Sequence, residues 1–348
     1  MKKRTLLILL GLLLSATMAI NGFTAQATPA KPGQPIKWTC QQVYNGSKFG
    51  EGGYQTLLFK EVIEKATNGR LQINVVPPES VVPTKDLFTA ISNGTIDMTY
   101  AAYAGYYTGL LPEADVETGP PFAWLTGEAA VYGYEVYGIR EELEKVYAEH
   151  NIFFAPVFFD TYYILLSRDP INKPADLAGK KVRAPGIYGK WVQKFGGAPV
   201  TIPIAESYTA LKLGTLDASI MSPSFLDVQN LKEVVKYVVL SPNLSSIVGN
   251  CMINMDSLKA LPEDLRSIVT TTAKYIAYYA GQAQRDLQII RRAQKTHGVQ
   301  VIYWDEAAVD QATQAGVALW DEIAARNKRC ALLIEKIKQQ LKDDGRIK

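Results

Sequence analysis

The sequence predicts an α/β protein of two lobes with a cleft and a hinge between them, followed by long C-terminal helices. Three observations carry that prediction. Helix-like and strand-like segments alternate in both halves of the chain. One segment recurs: Phe88-Thr89-Ala90-Ile91-Ser92-Asn93-Gly94-Thr95-Ile96-Asp97 matches Tyr208-Thr209-Ala210-Leu211-Lys212-Leu213-Gly214-Thr215-Leu216-Asp217, with Thr, Ala, Gly, Thr and Asp identical in register. Two β-rich runs, 152–159 and 247–254, sit where the chain would pass to a second lobe and return, so that neither lobe is continuous.

The elements follow in order. Lys2, Lys3 and Arg4 precede the apolar run Leu6 to Leu14, and Ala25-Gln26-Ala27 closes the stretch. This is the pattern of a signal peptide over 1–27. The run is too short for a bilayer, which takes roughly 20 apolar residues. Of the 37 Lys and Arg residues, three lie in that stretch, which leaves 34 against 34 Asp and Glu. A balance so near neutral excludes a polybasic surface and with it a nucleic-acid partner. Ile36 to Gln41 reads as a strand, and Leu57, Leu58, Val62, Ile63 and Ala66 recur at helical spacing up to the stop at Gly69. Leu71 to Val76 alternates as a strand, Thr84 to Asn93 is helical, and Ile96-Asp97-Met98 is a short strand.

In the second half Lys181 to Ala184 is a strand and Tyr188 to Phe195 a helix stopped by Gly196-Gly197. Val200 to Ile202 is the next strand. Leu261-Pro262-Glu263-Asp264 starts a helix. A strand at Val299 to Ile302 precedes helices from about Asp305 to Leu341, whose last part carries Leu332, Ile334, Ile337 and Leu341. The expected organisation is a first lobe over 28–158 and 248–280, a second over 159–247, and C-terminal helices over 281–348 packing on the lobes.

The inventory for catalysis is thin. The two histidines, His150 and His297, both read as helix-end residues, and neither belongs to H-E-x-x-H. There is no G-x-S-x-G, P-loop, complete G-x-G-x-x-G or zinc-spaced cysteine pair. Cys40, Cys251 and Cys330 are far apart, and the first two read as buried small hydrophobes. Neither a catalytic residue nor a cofactor is indicated.

The run Pro170-Ile171-Asn172-Lys173-Pro174-Ala175-Asp176-Leu177-Ala178-Gly179-Lys180-Lys181-Val182-Arg183-Ala184-Pro185-Gly186 carries the strongest signal. It resembles the substrate-binding proteins of tripartite ATP-independent periplasmic (TRAP) transporters, in which Pro-Ile, Asp-Leu-x-Gly and Lys-x-Arg-x-Pro-Gly follow one another. Asn93 to Met98, Pro121-Phe122, Tyr208 to Leu211 with Gly214 and Asp217, and Asn254 to Pro262 extend the resemblance over nearly the whole chain. It implies a periplasmic binding protein-like fold, a periplasmic location, integral membrane subunits as partners, and a monomer or a helix-mediated dimer. It also implies that Arg183 pairs with a ligand carboxylate, for which a planar guanidinium is well suited.

The departures from the family narrow the pocket. Tyr162 stands near the place where dicarboxylate binders carry a second Arg. After Asp217 the chain reads Ala218-Ser219-Ile220-Met221-Ser222, where Ile220 cannot replace the acidic residue that would hold a metal ion. Tyr103, from the cluster Tyr100, Tyr103, Tyr106 and Tyr107, together with Tyr162, Met221, Ser222, Asn243 and Asn250, is expected to line the pocket; no metal is expected. Trp124 and Trp191 read as packing residues. The favoured ligand is a monocarboxylate, either a small 2-oxo or 2-hydroxy acid or one with an aromatic or branched tail. A C4-dicarboxylate receptor and an exported hydrolase or lyase on the same fold are the alternative readings.

Overall fold

The structure, a computed structural model, describes residues 33–44, 53–159, 161–275 and 282–347, the side chains of 282–284 excepted. The signal segment expected over 1–27 lies outside the described residues.

The first sheet begins with β1 (Ile36–Gln41), which buries Trp38 and Cys40. Helix α1 (Gly53–Ala66) buries Phe59 and Ile63 and ends before Gly69, whose φ of +72° suits a residue without Cβ. Strand β2 (Leu71–Val76) alternates buried Leu71 and Ile73 with exposed Gln72 and Asn74. Helix α2 (Leu87–Ser92) leads to β3 (Met98–Ala102), which runs four residues beyond the expected strand end because all five of its residues are buried. Short α3 (Ala114–Glu117), α4 (Gly127–Val136) and α5 (Ile139–Ala148) then lead to β4 (Ile152–Phe158).

The second half contributes β5 (Ile164–Ser167), β6 (Lys181–Arg183), α6 (Ile187–Lys194), β7 (Ala198–Val200), α7 (Ser207–Leu213) and β8 (Ala218–Met221). It continues through α8 (Phe225–Val228) and β9 (Tyr237–Ser241) before the chain returns in β10 (Val248–Asn254). Helices α9 (Met255–Lys259), α10 (Glu263–Tyr275) and α11 (Gln282–His297) follow, then β11 (Gln300–Tyr303), α12 (Glu306–Ala324) and α13 (Lys328–Asp343). The first sheet has the order β2-β1-β3-β10-β4 and the second β11-β9-β5-β8-β6-β7. This is the two-lobed α/β architecture.

Three expectations change. The β-rich runs 152–159 and 247–254 do not themselves cross between sheets. They pair antiparallel inside the first sheet, from Val248 opposite Phe158 to Asn254 opposite Ile152, where apolar strands bury both faces. The first two crossings are short, at 159 and 161–163 and at 242–247. The C-terminal region also adds β11 to the edge of the second sheet, parallel to β9. On α13 the buried stripe is Leu333, Ile334, Ile337 and Leu341, and Leu332 faces outward.

The repeated segment is repeated in three dimensions. Gly94 and Gly214 have φ of +77° and +76°. Asp97 Oδ2 accepts the backbone N–H of Thr39 in β1 at 2.7 Å, and Asp217 Oδ2 accepts that of Lys181 in β6 at 2.8 Å. Each carboxylate thus ties its own strand to a neighbour at the same place in its sheet. Asp97 Oδ1 also accepts from Ser257 Oγ at 2.7 Å.

A stability series tests this duplication. Asp97→Ala removes two bonds and is expected to cost about 2 kcal/mol; Asp217→Ala removes one and is expected to cost about 1 kcal/mol, both by urea denaturation. Equal, negligible losses would deny the carboxylates this role.

Candidate ligand-binding site

Arg183 ends β6, and its side chain is 1% exposed. It is the only buried Lys, Arg or His among the described residues. Nε donates to Ile202 O at 3.1 Å and Nη1 to Ile220 O at 3.3 Å, both within the second lobe. Nη2 crosses to the first lobe and donates to Tyr106 Oη at 2.8 Å. Among the described residues no carboxylate pairs with it. Burial works against the guanidinium charge and the hydroxyls of Tyr106 and Tyr163 work for it, so that the net direction is upward. The arrangement is a fixed cation in a dry site, held by neutral oxygens.

Aromatic rings surround it. Tyr103 meets Tyr106 edge-on at 5.8 Å and Tyr163 at 6.3 Å, and Tyr163 meets Tyr188 edge-on at 4.9 Å. Tyr44, whose hydroxyl also acts on Arg183, lies against Phe159 and Phe225 at 6.5 and 5.9 Å. Burial pushes Tyr163 up to about 12, against the pull of Arg183, and pushes Tyr103 well above its ordinary value. These hydroxyls are therefore neutral near pH 7. Gly105 is needed beneath Tyr103, because a Cβ there would come 2.3 Å from the ring.

The remaining expected residues divide. Met221 is buried at the end of β8 opposite Ile164, directly after the Ile220 carbonyl that holds Arg183. Ser222 Oγ lies 2.8 Å from Thr161 Oγ1, which lies 2.5 Å from the buried Asp286 of α11. The backbone N–H of Tyr162 donates to the same Asp286 Oδ2 at 3.2 Å. Ser222 and the backbone of Tyr162 are thus tied to the same Thr161–Asp286 pair at the first crossing.

Asn243 braces the crossings: Oδ1 accepts from Tyr163 N at 2.9 Å and Nδ2 donates to Leu125 O at 3.0 Å. Asn250 departs from the expected pocket wall, because its amide nitrogen is bonded inside the first lobe. Nδ2 donates to Glu117 Oε1 at 2.7 Å and also meets the Tyr107 and Tyr147 hydroxyls. Tyr100 leaves the expected cleft cluster too, stacking on Phe59 at 4.5 Å in the core.

Sequence reasoning grouped Tyr163 with Tyr162 as a tyrosine pair but did not single out Tyr44, Asp115 or Glu117. The abundance of tyrosine pointed to Tyr44 only as a class, and nothing marked the two acids. The thiols of Cys40, Cys251 and Cys330 are free and buried. Trp124 and Trp191 pack as read, their indole N–H groups donating to Gln340 Oε1 at 2.9 Å and Ala312 O at 3.0 Å.

Residues 51–327 match the family model of bacterial extracellular solute-binding proteins, family 7 (DctP). The chain belongs to this family. These are the substrate-binding proteins of TRAP transporters, a transport family of periplasmic receptors and not an enzyme family. A solute-binding protein of Albidiferax ferrireducens is 24% identical over 352 residues, covering 98% of this chain and 100% of the relative. The structure is similar to a TRAP solute-binding protein from Rhodoferax ferrireducens with bound malonate (TM-score 0.79, 22% identity, 90% of this chain and 100% of that one). It is equally similar to one from Pseudoalteromonas atlantica with bound sodium and pyruvate (TM-score 0.79, 23% identity, 90% and 95%).

Glu117 gives the site a pH-dependent neighbour. Burial raises its carboxyl to about 8, against bonds from Tyr147 and Asn250 that pull it down. The folded protein keeps this proton where the unfolded chain, near the ordinary 4.5, has released it. Its contribution to stability is full below about pH 4.5, is lost as pH rises towards about 8, and is level above that. Glu117→Gln is expected to flatten the fall in unfolding free energy between about pH 5 and about pH 8 by roughly 2–4 kcal/mol. The check is urea denaturation of both proteins at each pH; parallel curves would reject a neutral Glu117.

Proposed function

We propose that this receptor captures a small organic monocarboxylate in the periplasm and hands it to the membrane subunits of a TRAP transporter. The observation that carries the reading is Arg183, a buried guanidinium with no carboxylate beside it among the described residues. Such a charge calls for an anion, and a planar fork suits the two oxygens of a carboxylate. Its position supports the same reading, at the end of a parallel strand where open α/β sheets take ligands. Tyr106 joins it from the other lobe, so ligand binding and closure of the hinge act on one residue. Tyr103, Tyr163, Tyr44, Met221 and Ser222 form the walls, apolar over most of their area with hydroxyls at the edges. That composition suits a 2-oxo or 2-hydroxy acid, or an acid with an aromatic or branched tail. Arg183 stands alone among the described residues as a buried cation, which favours one carboxylate over two.

Native mass spectrometry of the purified protein is expected to show a co-purified acid, which remains chemically unchanged on incubation, as a receptor requires. Arg183→Ala is expected to cost about 3–5 kcal/mol of binding, on the order of a hundredfold to several thousandfold in Kd, by calorimetry with that acid. The ligand-free variant is expected to melt no lower than the wild type, because an unpaired buried charge has been removed. Arg183→Ala binding the acid as tightly as the wild type would sink the reading.

A further inference from the structure

Asp115, in α3 of the first lobe, is 2% exposed and is held from two sides. Its Oδ1 accepts the backbone N–H of Ile187, the first residue of α6 in the second lobe, at 2.8 Å. Its Oδ2 lies 2.6 Å from Nη1 of Arg326, which follows α12. Gly186 makes room for it: φ is +61°, and a Cβ there would come 2.8 Å from Asp115 Oδ1 and 3.6 Å from Gly105 Cα. The start of α6, four residues beyond Arg183, is where a free N–H and the helix dipole would attract a ligand anion. A carboxylate of the protein already fills that position. It also holds the charge of Arg326, the nearest cation to it. Its own charge reaches the Tyr103 and Tyr188 hydroxyls, which border the surroundings of Arg183.

We propose that Asp115 is a specificity-determining residue: it takes up the N–H at the start of α6 and the charge of Arg326, so that a ligand with one carboxylate at Arg183 is accepted and a second carboxylate finds no partner there. The inference rests on Arg183 as the ligand anchor. It adds a reason for the preference that the anchor alone does not contain: the groups that would hold a second carboxylate are already taken by one of the protein's own.

The experiment uses three pairs of acids matched in carbon skeleton: pyruvate with malonate, butanoate with succinate, and 2-phenylpropanoate with phenylmalonate. Kd is measured by calorimetry on the wild type, Asp115→Asn and Asp115→Ala. The wild type is expected to prefer the monocarboxylate of its best pair by at least about tenfold. Both variants are expected to lower that ratio by at least about tenfold, which a residue serving only the fold would leave unmoved. Asp115→Asn keeps an oxygen for Ile187 N–H, so it carries the test where Asp115→Ala does not fold. A wild type that prefers the dicarboxylate, a ratio unchanged in both variants, or failure of both to fold would overturn the role of Asp115 and leave the anchor standing. A wild type that binds no member of the panel, or Arg183→Ala binding normally, would overturn the anchor itself.

Discussion

A guanidinium withdrawn from water, with no carboxylate among the described residues to balance it, is the constraint around which the molecule is arranged. Moving such a group into a dry interior costs several kcal/mol, and neutral partners return part of that. Arg183 finds two such partners in the carbonyls of Ile202, just beyond β7, and Ile220, within β8, and a third in Tyr106 from the opposite lobe. The second sheet therefore orients the fork, while the first lobe completes its surroundings. A bound anion would supply the missing charge, and so closure and binding share one energetic cause.

The frame that holds this geometry is stitched at the crossings. Tyr163 donates its N–H to Asn243, and its carbonyl accepts from Leu244 N at 3.0 Å, so the two passages between lobes run side by side. Asp286 takes the hydroxyl of Thr161 and the N–H of Tyr162 from the C-terminal side. Three indoles fasten the helices to the lobes, with Trp320 Nε1 donating to Pro121 O at 3.0 Å alongside Trp124 and Trp191. These directional bonds add to a shared apolar core, in which Phe122 of the first lobe lies 6.4 Å from Trp191 of the second.

The buried acids have opposite characters. Asp115 is met by Arg326 and a helix start, which hold its charge although burial pushes its pKa up. Glu117, two residues on, is met by neutral hydroxyls and an amide, and burial dominates. One short helix thereby presents a charged carboxylate to the second lobe and a neutral one to its own.

How much was legible in the sequence depended on the range of the interaction. Strands with period-two burial, glycine stops at Gly69, Gly94 and Gly214, and the repeated Gly-Thr-Ile/Leu-Asp were readable because neighbours along the chain determine them. The motif around Arg183 singled that residue out as the anchor on the strength of resemblance, while its burial needed coordinates. The destination of the 152–159 and 247–254 runs was not readable, since an apolar strand looks the same whether it crosses or pairs. Nor was the division of the tyrosines, with Tyr100 in the core, Tyr107 with Glu117, and Tyr106 on Arg183. Sequence by itself determined the family, the alternation of elements and the identity of the cation. Tertiary structure alone decided which oxygens face that cation and that Asp115 caps α6, because those contacts join residues tens of positions apart and no local pattern records which side chains a closed fold brings within 3 Å of one another.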